Sequence, residues 1–134
     1  MIRRDSNYIN SLRIIEVEGR CPSWGSGGSS RYMKKIQEAA RKEFDLPYDV
    51  PVVVEIDLFY DGEKNNSPDI DNAENLIFDS LKGIAITDDK LIVNTKTKIH
   101  DTSQVTEFVD EPIFLVDLLM KGFKAYTTIR ICEK

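Results

Sequence analysis

The chain has 134 residues, 41% hydrophobic and 31% charged, which suits one compact domain over 1–134 and excludes disorder by composition. Lys+Arg number 18 against 23 Asp+Glu, a formal net charge of −5, so any grip on phosphate needs a local basic patch or a metal ion. No apolar run approaches the roughly 18 residues that cross a bilayer, and MIRRDSNYIN lacks an apolar signal segment, which excludes a membrane protein and points to the cytoplasm.

Residues 11–18, SLRIIEVE, alternate in the manner of a strand. The glycine-rich loop CPSWGSGGSS follows and opens into a helix from about Ser30 to Phe44, with Ser29 or Ser30 placed to cap it. At about 100° per residue, Tyr32, Met33, Ile36, Ala39, Ala40 and Phe44 share one side of that helix, and Arg31, Lys34, Lys35, Arg41 and Lys42 share the other. The charged side reads either as a solvated face or as a phosphate-facing stripe. Pro47 closes this region, and Val52–Tyr60 form a strand, with Val54, Ile56, Leu58 and Tyr60 on one face and Val53, Glu55, Asp57 and Phe59 on the other. Glu55 and Asp57 are expected to face solvent, with a place in a metal shell as the alternative for a carboxylate on a strand beside a site.

The polar loop DGEKNNSP then leads into a helix from about Asp71 to Lys82, stopped by Gly83 in a left-handed conformation. Ile84–Ile86 resume an extended chain, Asp88 and Asp89 make a turn, and Leu91–Ile99 form a strand. Ile113–Met120 fit a short helix or an apolar strand equally, and Lys124–Cys132 alternate as a closing strand. The order β-α-β-α-β-(?)-β predicts an α/β (α+β) fold, a small mixed sheet with helices packed on it. Cys21 and Cys132 are far apart without CxxC spacing, so they are expected to be reduced thiols rather than a zinc site or disulfide.

The chemistry concentrates in SPDIDN, residues 67–72, and TDDK, residues 87–90. A helix of about twelve residues separates them by roughly 18 Å, so they meet only if 83–87 returns alongside it. Converging carboxylates repel by about 4 kcal/mol per pair at 4 Å and an effective dielectric of 20, and so require a proton or a hard divalent cation. Such a cation serves phosphoryl chemistry. The alternative is structural: Asp71 and Glu74 have capping-box spacing, and Asp88-Asp89 suits an ordinary turn. An EF-hand is excluded because Glu74 stands where its glycine belongs, and the glycine loop lacks the Gly-Lys-Ser/Thr ending of a phosphate-binding loop. The lone histidine, His100, excludes His-rich metal sites. At a strand end it is a surface or hydrogen-bonded residue before it is a general base. Trp24 either stacks on a base or folds back onto the core.

The segment PDIDNAENLIFDSLKGIAITDDKLIV resembles the core motif of the RusA family of Holliday-junction resolvases: D-x-D-N at Asp69, Asp71 and Asn72, then Asp79, Leu81 and Gly83, then Asp88 and Asp89 ahead of an apolar strand. The match is dense over about residues 67–94 and weak in the last third. The resemblance implies a homodimeric, Mg²⁺-dependent endodeoxyribonuclease (Mn²⁺ as an alternative), commonly phage- or prophage-borne, that cuts four-way DNA junctions symmetrically. By position it makes Asp69, Asp71 and Asp89 the metal-binding catalytic carboxylates, with Asp88 a neighbour. The family's catalytic lysine, one helical turn after the second aspartate, is Asn75 here. Lys82, Lys90, Lys96 and Lys98 are the cations able to substitute, and without one the chain reads as a weakened or inactive binder of branched DNA. Lys96 and Lys98, with the basic helix face, are the expected DNA contacts.

Overall fold

The computed structural model describes residues 12–22, 27–103 and 125–134. Trp24 and most of the 101–124 stretch, including Ile113–Met120, lie outside the described residues. The elements in chain order are β1 (Arg13–Glu18), α1 (Ser29–Glu43), β2 (Val52–Tyr60), α2 (Ile70–Leu81), a 3₁₀ turn (Asp89–Leu91), β3 (Ile92–Asp101) and β4 (Tyr126–Glu133). Among the described residues these strands form one sheet in the order β1-β4-β2-β3. β2 and β3 run parallel, joined through α2, and the other neighbours are antiparallel. This is the mixed, helix-covered α+β sheet expected from the pattern.

The strong alternation of β2 has a direct cause. Val52, Val54, Ile56 and Leu58 are at most 1% exposed and meet Ile15 and Val17 of β1 and Ile129 and Ile131 of β4 in the main core. Tyr32, Ile36 and Ala40 of α1 and Ala73, Ile77 and Leu81 of α2 close over that same face. Each large aliphatic side chain so buried contributes about 1.5–3 kcal/mol. The Tyr32 hydroxyl lies 2.5 Å from Thr127 Oγ1 on β4, which satisfies two polar groups inside the core.

On the opposite face, the expectation for Asp57 fails. Asp57 is 1% exposed: Arg130 Nη2 donates to Oδ2 at 2.6 Å, and His100 Nε2 lies 2.9 Å from Oδ1. Parallel and antiparallel neighbours supply those partners from β3 and β4, so a buried carboxylate is compensated where sequence alternation predicted a wet one. Glu55 remains partly exposed and meets Arg130 at 3.4 Å. Phe59 stacks between His100 and Tyr126, with centroids 4.5 and 4.4 Å away, so the histidine is the hydrogen-bonded residue and not a surface one.

Local signals are mostly kept. Gly83 has φ +86 just past α2, where a side chain would be strained. The N-cap of α1 is a correction: it is Gly28, with no side-chain hydrogen bond, rather than Ser29 or Ser30. Residues 84–86 are also not simply extended; the amides of Ile84, Ala85 and Ile86 all turn back to the carbonyl of Leu81. Cys21 and Cys132 are free thiols. No described helix is long and apolar enough to cross a membrane.

Candidate active site

β2 delivers the chain to the C-terminal edge of its parallel pairing with β3, and α2 starts there. Asp69 is the N-cap of α2; its Oδ1 accepts from the amides of Asp71 at 3.0 Å and Asn72 at 3.4 Å. Asp71 stands exposed in the first turn, where the helix dipole favours a carboxylate. The capping pattern is thus realised by Asp69, while Glu74 accepts from Thr97 Oγ1 of β3 at 2.5 Å instead of closing a box. The segment after β1 braces this turn. Asn72 Nδ2 donates to the Pro22 carbonyl at 3.2 Å, and Arg20 Nη2 donates to the Asn66 carbonyl at 2.9 Å.

Asp89 sits elsewhere. It opens the 3₁₀ turn before β3, at the N-terminal edge of the β2–β3 pair, with its Oδ2 3.8 Å from Lys82 Nζ. Asp88 caps that turn: the Lys90 amide and the Asp89 side chain hold its carboxyl below the usual carboxylate range. The whole of α2, twelve residues and about 18 Å, lies between this pair and Asp69. Residues 83–87 do not return along the helix. Tyr48, in the loop before β2, donates from its amide to Ala85 at 2.8 Å and accepts from the Thr87 amide at 3.0 Å. Thr87 Oγ1 also donates to Asp49 at 2.8 Å. The segment is pinned at the far edge of the sheet. Among the described residues, no three His, Cys, Asp or Glu side chains of one chain come together as a metal site.

The expected gathering of three carboxylates within a single chain is therefore corrected. One chain brings together Asp69 and Asp71, and separately Asp88, Asp89 and Lys82. Asp69 and Asp71 fit a hard divalent cation in donor type, as two carboxylates with exposed oxygens, but they are an incomplete set.

Arg31, Lys34, Lys35, Arg41 and Lys42 are all exposed along α1. Lys96 and Lys98 are exposed on the face of β3 turned away from the helices, and Lys90 is exposed in the 3₁₀ turn. Asn75 is exposed one turn beyond Asp71. Sequence reasoning missed Arg20, which ties the loop before Asp69 to the end of β1; only its position beside Cys21 and the glycine loop offered a signal.

A family model for Endodeoxyribonuclease RusA matches residues 19–110, a stretch that contains both carboxylate clusters and all of α1 and α2. The chain belongs to the RusA endodeoxyribonuclease family. RusA proteins are Holliday-junction-resolving endonucleases that act on branched DNA and generally depend on a divalent metal. No curated protein matches the chain. Within the RusA match, Asp69 and Asp71 stand at the start of α2, Asp89 lies in the 3₁₀ turn beside Lys82, and the exposed cations are on α1 and β3.

Proposed function

We propose that this RusA-family protein is a Mg²⁺-dependent homodimeric nuclease that resolves four-way DNA junctions, with each active site assembled from two copies of the chain. The observation that carries this reading is the placement of Asp69–Asp71 and Asp89 at opposite ends of one rigid helix. A two-fold axis crossing α2 runs two such helices antiparallel and sets the Asp89 end of one copy beside the Asp69–Asp71 end of the other. An isologous pair then has two equivalent sites, which matches the symmetry of a four-way junction.

In that arrangement Asp69 and Asp71 from one copy, with Asp89 from the other, would hold the cation. Mg²⁺ supplies activation of water and stabilisation of charge on the leaving oxygen. The chain's own residues do the rest. The cap bonds fix the Asp69 carboxylate so that little reorganisation is left for the reaction. Lys82 is carried in with Asp89, its neighbour at 3.8 Å, and supplies the positive charge that Asn75 cannot. The exposed cations Arg31, Lys34 and Lys35 of α1 and Lys96 and Lys98 of β3 are available to the DNA phosphates. Asp89→Asn should leave folding and junction binding intact and abolish Mg²⁺-dependent cleavage of a synthetic four-way junction; cleavage at the wild-type rate would remove Asp89 from the site.

One observation favours a second reading, a branched-DNA binder that does not cut. Asn75 projects to solvent from the turn after Asp71, where a lysine would stand beside the phosphate. Junction binding without scission at any Mg²⁺ or Mn²⁺ concentration would decide for it.

A further inference from the structure

Two hollows lie along α1, and their linings differ. The larger, about 430 Å³, runs between β1 and the C-terminal half of α1; Glu16, Glu18, Glu38 and Glu43 line it with Lys35 and Lys42. Four carboxylates make it a poor place for phosphate. Burial and Glu43 even push the Glu16 carboxyl upward, as expected for crowded acids. Arg41 and Lys42, in the last turn, also complement the helix dipole and so have a structural use.

The smaller hollow, about 230 Å³, lies at the N-terminus of α1, lined by Arg20, Arg31 and Lys35 together with Pro22, Gly28 and Tyr32. Glu18 and Gly19 complete its wall. None of the three cations is ion-paired among the described residues. Lys35 Nζ reaches the Glu18 carbonyl at 3.3 Å, Arg20 Nη2 reaches the Asn66 carbonyl, and Arg20 Nε is buried without a partner. α1 adds to the imbalance, for it begins at Gly28 without a side-chain cap and has no acid in its first turn. Arg31 stands in that turn against the dipole, an arrangement that is unfavourable unless an anion is shared. Three cations, a helix start with no acid in its first turn and room for a phosphate with several waters make one electropositive seat.

The seat abuts the proposed active site. Pro22 forms its wall and also accepts from Asn72, and Arg20 lines it while holding the loop that leads to Asp69. We infer that the hollow formed by Arg20, Arg31 and Lys35 is a phosphate seat that holds a DNA backbone phosphate next to the one being cut. The inference rests on the nuclease reading for its ligand and on the cation geometry for its place. It narrows the basic stripe of α1 to its N-terminal end.

Two measurements test it. In the first, inorganic phosphate is titrated into the wild-type protein and Arg31→Gln/Lys35→Gln, followed by amide NMR shifts of Gly28 to Tyr32. Saturable shifts in the wild type and none in the variant are expected. Absence of saturation in the wild type overturns the seat. In the second, four-way-junction affinity is measured against salt concentration in EDTA for the same pair and for Arg41→Gln/Lys42→Gln, an equal loss of charge. The seat variant should weaken binding about tenfold and lower the salt slope by about 1–2, and the other pair should lose less than about threefold. Equal losses in the two pairs overturn the DNA assignment, as does phosphate binding with no change in junction affinity. Phosphate binding by a wild-type protein that ignores branched DNA refutes the nuclease reading and leaves a seat for free phosphate only, which overturns the DNA ligand.

Discussion

An active site shared between copies has a signature that no single-chain site can imitate. Asp71→Asn and Asp89→Asn should each be inactive as homodimers, because both sites of each dimer lack one ligand. Mixed and allowed to exchange subunits, they form heterodimers in which one site carries both substitutions and the other carries neither. Random exchange of equal amounts makes about half the dimers mixed, each with one intact site of two, so cleavage should return to about a quarter of wild type. The product should be a nicked junction rather than paired linear duplexes. The geometry leaves little freedom here. Carboxylate oxygens on one Mg²⁺ lie about 2.1 Å from it, so shared ligands sit within about 5 Å of each other. The helix between Asp69 and Asp89 spans about 18 Å, and two short aspartate side chains cannot close the difference. The assay uses a four-way junction with separately labelled strands on denaturing gels, with mixed dimers verified by native mass spectrometry. A mixture that contains heterodimers and yet cuts nothing would refute the shared site.

Asp69 has two roles that substitutions separate. Asp69→Asn keeps a good cap and should leave urea stability within about 0.5 kcal/mol while abolishing cleavage; Asp69→Ala should lose about 1 kcal/mol as well. Asn75→Lys should raise single-turnover cleavage by about tenfold or more and, paired with Asp71 one turn away, stabilise α2 by about 0.3–0.5 kcal/mol in urea melts. A gain of that size would show that Lys82 supplies only part of the charge, and unchanged cleavage would show that it supplies all of it. The Asp101 carboxyl at the end of β3 is held below its ordinary value by the hydroxyl and amide of Ser103, with the Gly62 amide a further donor. Its folded value is lower than its unfolded one, so its stabilisation is present above about pH 4 and lost as pH falls through the folded value. Asp101→Asn should therefore flatten the acid limb of thermal stability against pH, and an unchanged limb would contradict the assignment.

Local chemistry was the legible part of this fold. The alternation of Val52 to Leu58 reports a strand buried on one face, and Gly83 reports a helix stop, because each is decided within a few residues of chain. Asp57 shows where that ends: its partners His100 and Arg130 lie 43 and 73 residues away, brought in by strand pairing that no spacing announces. The candidate site divides in the same way. The motif located Asp69, Asp71 and Asp89 in the chain, but the cap on α2 falls on Asp69 and not on Asp71, where the spacing to Glu74 had placed it. Their separation did not follow, because it depends on Tyr48 holding residues 85–87 at the far edge of the sheet. The cap of α1 was misread because serine is the better capping side chain, yet the backbone enters the helix one residue earlier, at Gly28.

The position of β4 between β1 and β2 has a consequence for biosynthesis. β1 pairs with β4 and with no other described strand, so during translation β1 waits for partner residues more than a hundred positions downstream. β2 and β3 can join early, but the edge of β2 stays open until then. At about 5–20 residues per second the nascent chain carries these open edges for several seconds. The half-made chain thus has carboxylates and cations on its helices before it has a closed sheet to hold them, and under the nuclease reading competence to cut arrives only with β4.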